Sequence, residues 1–292
     1  MSETAPTFLD VPRLLEQSQP RGRPVWVWYA MTACAVFVMT TSWSAAQEPS
    51  LRSLAMPMAG LGMLMVMLGM GAFTSHLVRQ QRQEQQAIEA VEELVQLRRW
   101  DEAAAMLDGL LSQPARTNAA RVQALVYLCS VLARYHRFAD VMTVQEFLLD
   151  HANFDASETH SLKLMRAMAM LHEDHLFDAD RAINELRRES PDSAGLALVE
   201  IYRDVKTGHA AEAIDLFRSR RPALRDQLGA RLGDAYGLVA RAHDLLGQEA
   251  EAATEYERAT LLSPPDELIR RYPELASMKD KYRAAETPKE AA

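Results

Sequence analysis

Two stretches near the start of the chain carry no charge. Residues 25–44 read VWVWYAMTACAVFVMTTSWS, and residues 54–73 read LAMPMAGLGMLMVMLGMGAF. Each is about 20 residues long, which an α-helix needs to cross a hydrocarbon core about 30 Å thick. Trp26, Trp28, Tyr29 and Trp43 stand near the ends of the first, where amphipathic rings favour the interface. The loop between them, 45–53, is too short for a domain, and Pro49 breaks a helix there. The pattern predicts two transmembrane helices joined by a short external loop. After residue 73 it changes. Leu77, Ile88, Val91, Leu94, Val95 and Leu97 recur at helical spacing among polar residues, and strand-like runs are absent to the end of the chain. The fold class is therefore all-α. The stretch QQRQEQQ has no Gly or Pro, so a helical linker over 74–85 is expected to continue the second span into the first cytoplasmic helix.

Charge sets the expected topology. Arg13, Arg21 and Arg23 precede the first span, Arg79 and Arg82 follow the second, and the loop offers Arg52. The excess of positive charge on both flanks places residues 1–24 and the C-terminal part in the cytoplasm. Small residues at Ser44, Ala45 and Ala46 would also suit a signal peptidase. The apolar region is longer than a signal core, so an uncleaved helix is expected. In the second span Ala55, Ala59, Gly62, Val66 and Gly69 share one face, and such small residues let another helix approach closely. The first span is the nearest partner for that face, and a second copy of the chain is the next. Met56, Met63 and Met70 share another face, where thioethers could hold Cu(I). No Cys or His lies among them, so they read as adaptable apolar filler.

Over residues 86–265 one plan recurs five times: an amphipathic helix, a tight turn, then a second helix with a small residue in its first turn. The last unit, RLGDAYGLVARAHDLLGQEAEAATEYERATLLSP, has Gly247 in the turn, then Ala252, Tyr256, Ala259 and Pro264. TGHAAEAIDLF repeats it with Gly208, Ala213 and Phe217. RRWDEAAAMLDGLLSQP supplies Trp100, Ala103, Leu107 and Pro114, and the middle two units keep Phe138, Val141, Ala182, Leu186 and Pro191. The reference residues Ala103, Val141, Ala182, Ala213 and Ala252 stand 31 to 41 apart. These spacings resemble the tetratricopeptide repeat, whose period is about 34 residues. The resemblance implies an α-solenoid of about five helix pairs, closed by a polar helix over 266–285 and a disordered tail over 286–292. Two spans followed by such repeats also resemble, in layout, the HemY-type inner-membrane proteins of bacteria, whose loop between spans is longer.

The same resemblance implies a concave groove that grips partner proteins. Counting from the turn glycines, it would be lined by Tyr202 and Lys206 in the fourth pair and by Asp234, Arg241 and Asp244 in the fifth. Ser130 and Arg134 correspond in the second. This mixed set of charges lacks the dense basic clamp that some members use to hold a C-terminal carboxylate.

The remaining chemistry narrows the picture. A net charge of −8 argues against a nucleic-acid partner, which needs a basic face. Of the two cysteines, Cys34 lies in the first span and Cys129 in an amphipathic helix, so a stabilising disulfide between them is not expected. There is no phosphate loop and no Gly-x-Ser-x-Gly elbow. His172-Glu173-Asp174-His175 is one residue short of the zinc motif HExxH, and no third ligand is evident. Arg218, Arg220, Arg221 and Arg225 form a small basic cluster of the kind usually found on a solvated face. No catalytic residue, cofactor or metal is expected. The expected function is that of a scaffold or adaptor in a bacterial inner membrane, with protein partners and the bilayer as its contacts. A self-assembling structural subunit and a metal-dependent hydrolase using His172 and His175 are the alternatives.

Overall fold

A computed structural model of the chain describes residues 9–20, 29, 32–33, 36, 39–40 and 52–283. Among the described residues the fold is all-α, with thirteen α-helices, two short 3-10 turns and no strand. Most of the first expected span, residues 45–51 of the loop and the tail lie outside this description, as do the side chains of 52–60, 62, 63, 66, 76, 77, 230 and 283. Among the described residues, no helix is long and apolar enough to cross a membrane. The chain divides into two compact units, 6–127 and 128–292.

In the first unit, α1 (Val11–Gln17) starts at Asp10, whose carboxylate accepts from the backbone N–H of Arg13 at 3.4 Å. Helix α2 (Arg52–Gln96) runs 45 residues without interruption, about 68 Å at 1.5 Å per residue. The expected linker over 74–85 is part of it. Its last turns bury Ile88 and Val91, and they pack on α3 (Trp100–Leu111). α1 also packs on α3, burying Leu9, Val11 and Leu14. Arg121, near the start of α4 (Asn118–Arg134), reaches back to α1. Its guanidinium donates to Ser18 Oγ at 3.0 Å and to the Leu15 carbonyl at 2.6 Å. The N-terminal segment is thus tied to the helices that follow α2.

The second unit holds the last two turns of α4 and the helices α5 (Phe138–His151), α6 (Ala156–His172), α7 (Leu176–Glu189), α8 (Ala194–Thr207), α9 (Ala210–Gln227), α10 (Leu232–Leu245) and α11 (Glu249–Leu262), followed by the closing segment. Each helix packs on the next from α5 to α11, and α6, α8 and α10 also pack on one another in succession. Two layers result, an inner one of α6, α8 and α10 and an outer one of α7, α9 and α11. The layers approach closely at Gly233. A Cβ there would stand 3.3 Å from the Ala259 carbonyl and 3.2 Å from Leu262 Cβ, so glycine is what lets α10 meet α11.

The helices are joined within each pair by one turn, used five times. A residue with positive φ ends the first helix: Arg98, His136, Asp174, Gly208 and Gly247, spaced 38, 38, 34 and 39 residues apart. The following N–H groups, of Arg99, Arg137, His175, His209 and Gln248, donate to carbonyls five residues back at 2.8 to 3.0 Å. With the bond from each positive-φ residue to the carbonyl three residues back this is the Schellman closure, which satisfies carbonyls a helix end would leave open. Three residues into the second helix stands an acid: Glu102, Asp140, Asp178, Glu212 or Glu251. Negative charge is favoured at that end by the helix dipole. Next comes a buried small residue: Ala103, Val141, Ala179, Ala213 or Ala252. In the third pair the structure therefore corrects the register. Ala179 takes the position that the sequence pattern assigned to Ala182, because Asp174, with no glycine to mark it, is the turn residue.

The closing segment also differs from expectation. In place of one polar helix over 266–285 there are α12 (Pro265–Arg271), a 3-10 turn at Pro273–Leu275 and α13 (Ala276–Arg283). Pro273 lacks the N–H that would continue α12. The segment buries Leu268, Tyr272, Leu275 and Met278 almost completely.

Candidate functional site

Five of the seven residues expected to line a partner groove stand on the inner layer, and the other two on α4. Tyr202 and Lys206 project from α8, Asp234, Arg241 and Asp244 from α10, and Ser130 and Arg134 from the end of α4. The structure brings most of them onto one face, and that face is covered. Residues 267–282 lie across it, and five of the seven expected groove residues meet a side chain of this segment.

The contacts run along the segment in order. Glu267 pairs with Arg134 at 3.2 Å. Arg271 pairs with Asp234 at 2.7 Å, and the Tyr272 hydroxyl donates to the same carboxylate at 3.4 Å. Glu274 accepts from the Tyr202 hydroxyl at 3.0 Å and stands 3.9 Å from the Lys206 ammonium. Lys281 and the Tyr282 hydroxyl donate to Asp244 at 2.8 and 3.2 Å. Asp244 also holds Arg241, three residues before it on the same helix. Ser130 is half-buried on α4. Tyr202 and Asp234 are 0% exposed, so neither is open to a partner while the segment is docked.

At the centre is an aromatic stack that the sequence did not indicate. The His172 ring lies flat on Phe138, with centroids 4.2 Å apart, and tilts against Tyr202 at 5.0 Å. Tyr272 meets Tyr202 edge to face at 5.1 Å. The Tyr202 hydroxyl gives its one proton to Glu274, which leaves His172 Nδ1, 3.1 Å away, as a donor to it. Burial drives the His172 pKa down to about 3, helped by the positive charge of Lys206 and by His136, and opposed by Asp174. Burial raises Tyr202, and the Glu274 carboxylate raises it further. Burial also pushes Asp234 up, against the pull of Arg271 and Arg231. Lys206 is anchored by the Leu171 carbonyl and by Asp174 at 2.8 Å.

The remaining expected sites resolve as follows. His172 is in the stack, and His175 sits in the turn before α7. Among the described residues, no three His, Cys, Asp or Glu side chains gather as a metal site would require. Cys129 is buried, and desolvation raises its thiol to about 12, far from a reactive thiolate at neutral pH. Cys34 lies outside the described residues. Arg220 pairs with Asp192 and Arg218 with Asp215, so the basic cluster is partly neutralised. Along α2, the side chains of Ala55, Ala59 and Gly62 lie outside the description, and a Cβ on Gly69 would meet nothing within 4 Å. Leu61, Leu64, Met65, Met67 and Leu68 are each more than half exposed.

No protein-family model, curated protein or solved structure matches this chain.

Sequence reasoning missed the role of the closing segment. Its signal was present in Leu268, Tyr272, Leu275 and Met278, an apolar series at helical spacing after Pro264 and Pro265.

Proposed function

We propose that this chain is a membrane-anchored helical-repeat adaptor: an apolar hairpin fixes it in a bilayer, and a cytoplasmic array of helix pairs, of tetratricopeptide type, binds protein partners. The observation that carries the anchor is the apolar belt of α2. Large apolar side chains at residues 61, 64, 65, 67 and 68 lie along one broad face of the helix and are more than half exposed. Water is a poor solvent for such a belt, and a lipid bilayer is the medium that suits it. The same helix continues into the repeat domain without a break, so the anchor and the binding domain are one rigid rod at their junction.

Docking of α1 bears on topology. Residues 9–18 pack on α3 and are held by Arg121, although both uncharged stretches intervene in the chain. This docking supports the reading in which both flanks of the hairpin lie on one side of the membrane, with an even number of crossings. Cleavage after Ala46 would remove Leu9, Val11 and Leu14 and strip the surface they bury, which supports reading the first span as uncleaved.

The binding role rests on the five-fold repetition of one turn and one buried small residue, the construction of a stacked array. Arginine-rich flanks favour the cytoplasmic side of a bacterial inner membrane. In this proposal the adaptor is assigned no enzymatic activity and no cofactor. A self-assembling subunit is the second reading, and the open space over Gly69 is what favours it.

Cross-linking in native membranes, followed by purification of the full chain, tests both. A heterologous protein enriched with the intact chain, and still captured when Gly69→Leu blocks helix approach, is expected for an adaptor. Recovery of this chain alone, lost in Gly69→Leu, would replace the adaptor with the self-assembling subunit.

A further inference from the structure

The inner face is occupied by the chain's own closing segment, and the manner of that occupation points to a strap that can be exchanged. Four charges along the strap alternate in sign: Glu267, Arg271, Glu274 and Lys281. Each finds its opposite on the face: Arg134, Asp234, Lys206 and Asp244, from three different helices. A capping helix needs only to cover the last pair. This segment instead reaches Arg134 at the end of α4, His172 of α6 and both α8 and α10.

The fit is incomplete. Glu274 Oε2 and Arg271 Nε are buried without a hydrogen-bond partner. Such groups weaken the docked state, because their lost hydration is not replaced. The two strap helices have seven and eight residues, too short to persist alone, so the strap orders only by docking. It is joined to α11 by Ser263 and Pro264, both in extended conformation, which gives it a defined hinge.

We propose that the inner face is a peptide-binding surface held shut by residues 265–283, and that its partner is a protein segment of the same chemistry. That segment would present an acid, then four residues later a base followed directly by an aromatic, and a second acid two residues beyond the aromatic, as Glu267, Arg271, Tyr272 and Glu274 do. The two acids meet Arg134 and Lys206, the base meets Asp234, and the aromatic ring enters the stack of Tyr202 and His172. This rests on the reading of the repeat domain as a protein-binding module. It adds that binding requires the strap to leave, so the apparent affinity is reduced by the fraction of time the face is open.

The test uses the full chain in detergent micelles and a fluorescein-labelled synthetic peptide spanning 264–283, read by anisotropy. In the variant Glu267→Lys with Glu274→Lys the strap is repelled from Arg134 and Lys206 while the face is unchanged. That variant is expected to bind the peptide at least tenfold more tightly than the unaltered chain, and adding Lys206→Glu to it is expected to abolish the binding. Equal binding to both chains, or binding to neither while circular dichroism shows the helices intact, overturns the proposal. Hydrogen exchange on the unaltered chain gives an arm free of folding artefacts. Amides of 266–283 are expected to exchange at least tenfold faster than those of α8 and α10, and equal protection overturns the strap. A dimer with exchanged straps, seen by light scattering and intermolecular cross-links, also overturns closure within one chain. The cross-linking result in membranes is independent of these arms. Peptide exchange without any captured partner would leave the strap standing and remove the adaptor, whereas a captured partner with no peptide exchange would do the reverse.

Discussion

Helix α2 and the inner face of the repeat domain solve opposite problems with the same kind of helix. Around residues 61–68, α2 turns Leu and Met outward and keeps charge away. On the inner face, Tyr202 and Asp234 are fully buried, and four ion pairs bridge the strap to three helices. In water, apolar groups belong inside and charges outside. The first region inverts that rule because its proposed solvent is lipid. The second departs from it because its charges are paired across an intramolecular contact. Burial in the repeat domain is therefore set by what covers a surface as much as by the composition of that surface.

The sharpest way to break the contrast is in the aromatic stack. Tyr272→Ala should destabilise the strap by about 3–5 kcal/mol, the range for deleting a buried aromatic. Tyr272→Phe should cost only about 1 kcal/mol, since it keeps the ring and removes only the hydroxyl that meets Asp234 and Arg231. Urea unfolding followed by far-UV circular dichroism separates the two. A cost for Phe as large as for Ala would show that the hydroxyl bond to Asp234, and not the ring, holds the strap.

For the proposed membrane anchor the corresponding change is Leu64→Arg. A charge near the centre of a span costs about 3 kcal/mol. The variant should pass largely from the carbonate-resistant membrane fraction into the extract, whereas Leu64→Phe should stay behind. Retention of the Arg variant in the membrane would mean that this part of α2 does not lie in lipid.

His172 gives the stack a pH dependence. Its folded pKa, about 3, lies below the ordinary value of 6.5 because burial and Lys206 oppose a second positive charge. The unfolded state therefore binds the proton first, and the contribution is fully present above pH 6.5 and lost as pH falls toward 3. Between pH 7 and pH 5 the loss should be roughly 2 kcal/mol. His172→Gln should flatten that part of the stability profile, and an unchanged slope would place the titration on other groups.

The smallest effect concerns the turns. His136 holds φ at 57°, a conformation that costs a residue with a Cβ about 1 kcal/mol. His136→Gly should raise stability by up to about 1 kcal/mol, while Gly208→His, at the equivalent place with φ at 82°, should lower it by a similar amount. Opposite shifts in thermal midpoint would show that the five turns are energetically the same device.

Much of this architecture was legible in advance. Glycines at 208 and 247, each followed five residues later by Ala213 and Ala252, marked two pairs outright. Trp100 with Ala103, and Phe138 with Val141, marked two more. The third pair was misplaced by three residues because its turn uses Asp174, and Asp tolerates positive φ without announcing it. A common string would have caught it. Arg, His or Gln at 99, 137, 175, 209 and 248 is followed three residues later by an acid and four residues later by Ala or Val. Five of the residues read as a groove share the face that residues 267–282 cover, since helical spacing from a turn dictates which way a side chain projects.

By itself, the sequence determined the all-helical class, the two uncharged stretches and the five paired helices, because each follows from interactions within about one turn of the chain. Only the tertiary structure decided that residues 267–282 cover the face that those pairs create, and that residues 9–18 return to Arg121 across the two uncharged stretches. Glu267 meets Arg134 across 133 residues of sequence and Ser18 meets Arg121 across 103. Contacts that distant leave no periodic trace, since any acid could pair with any base until packing brings two of them together.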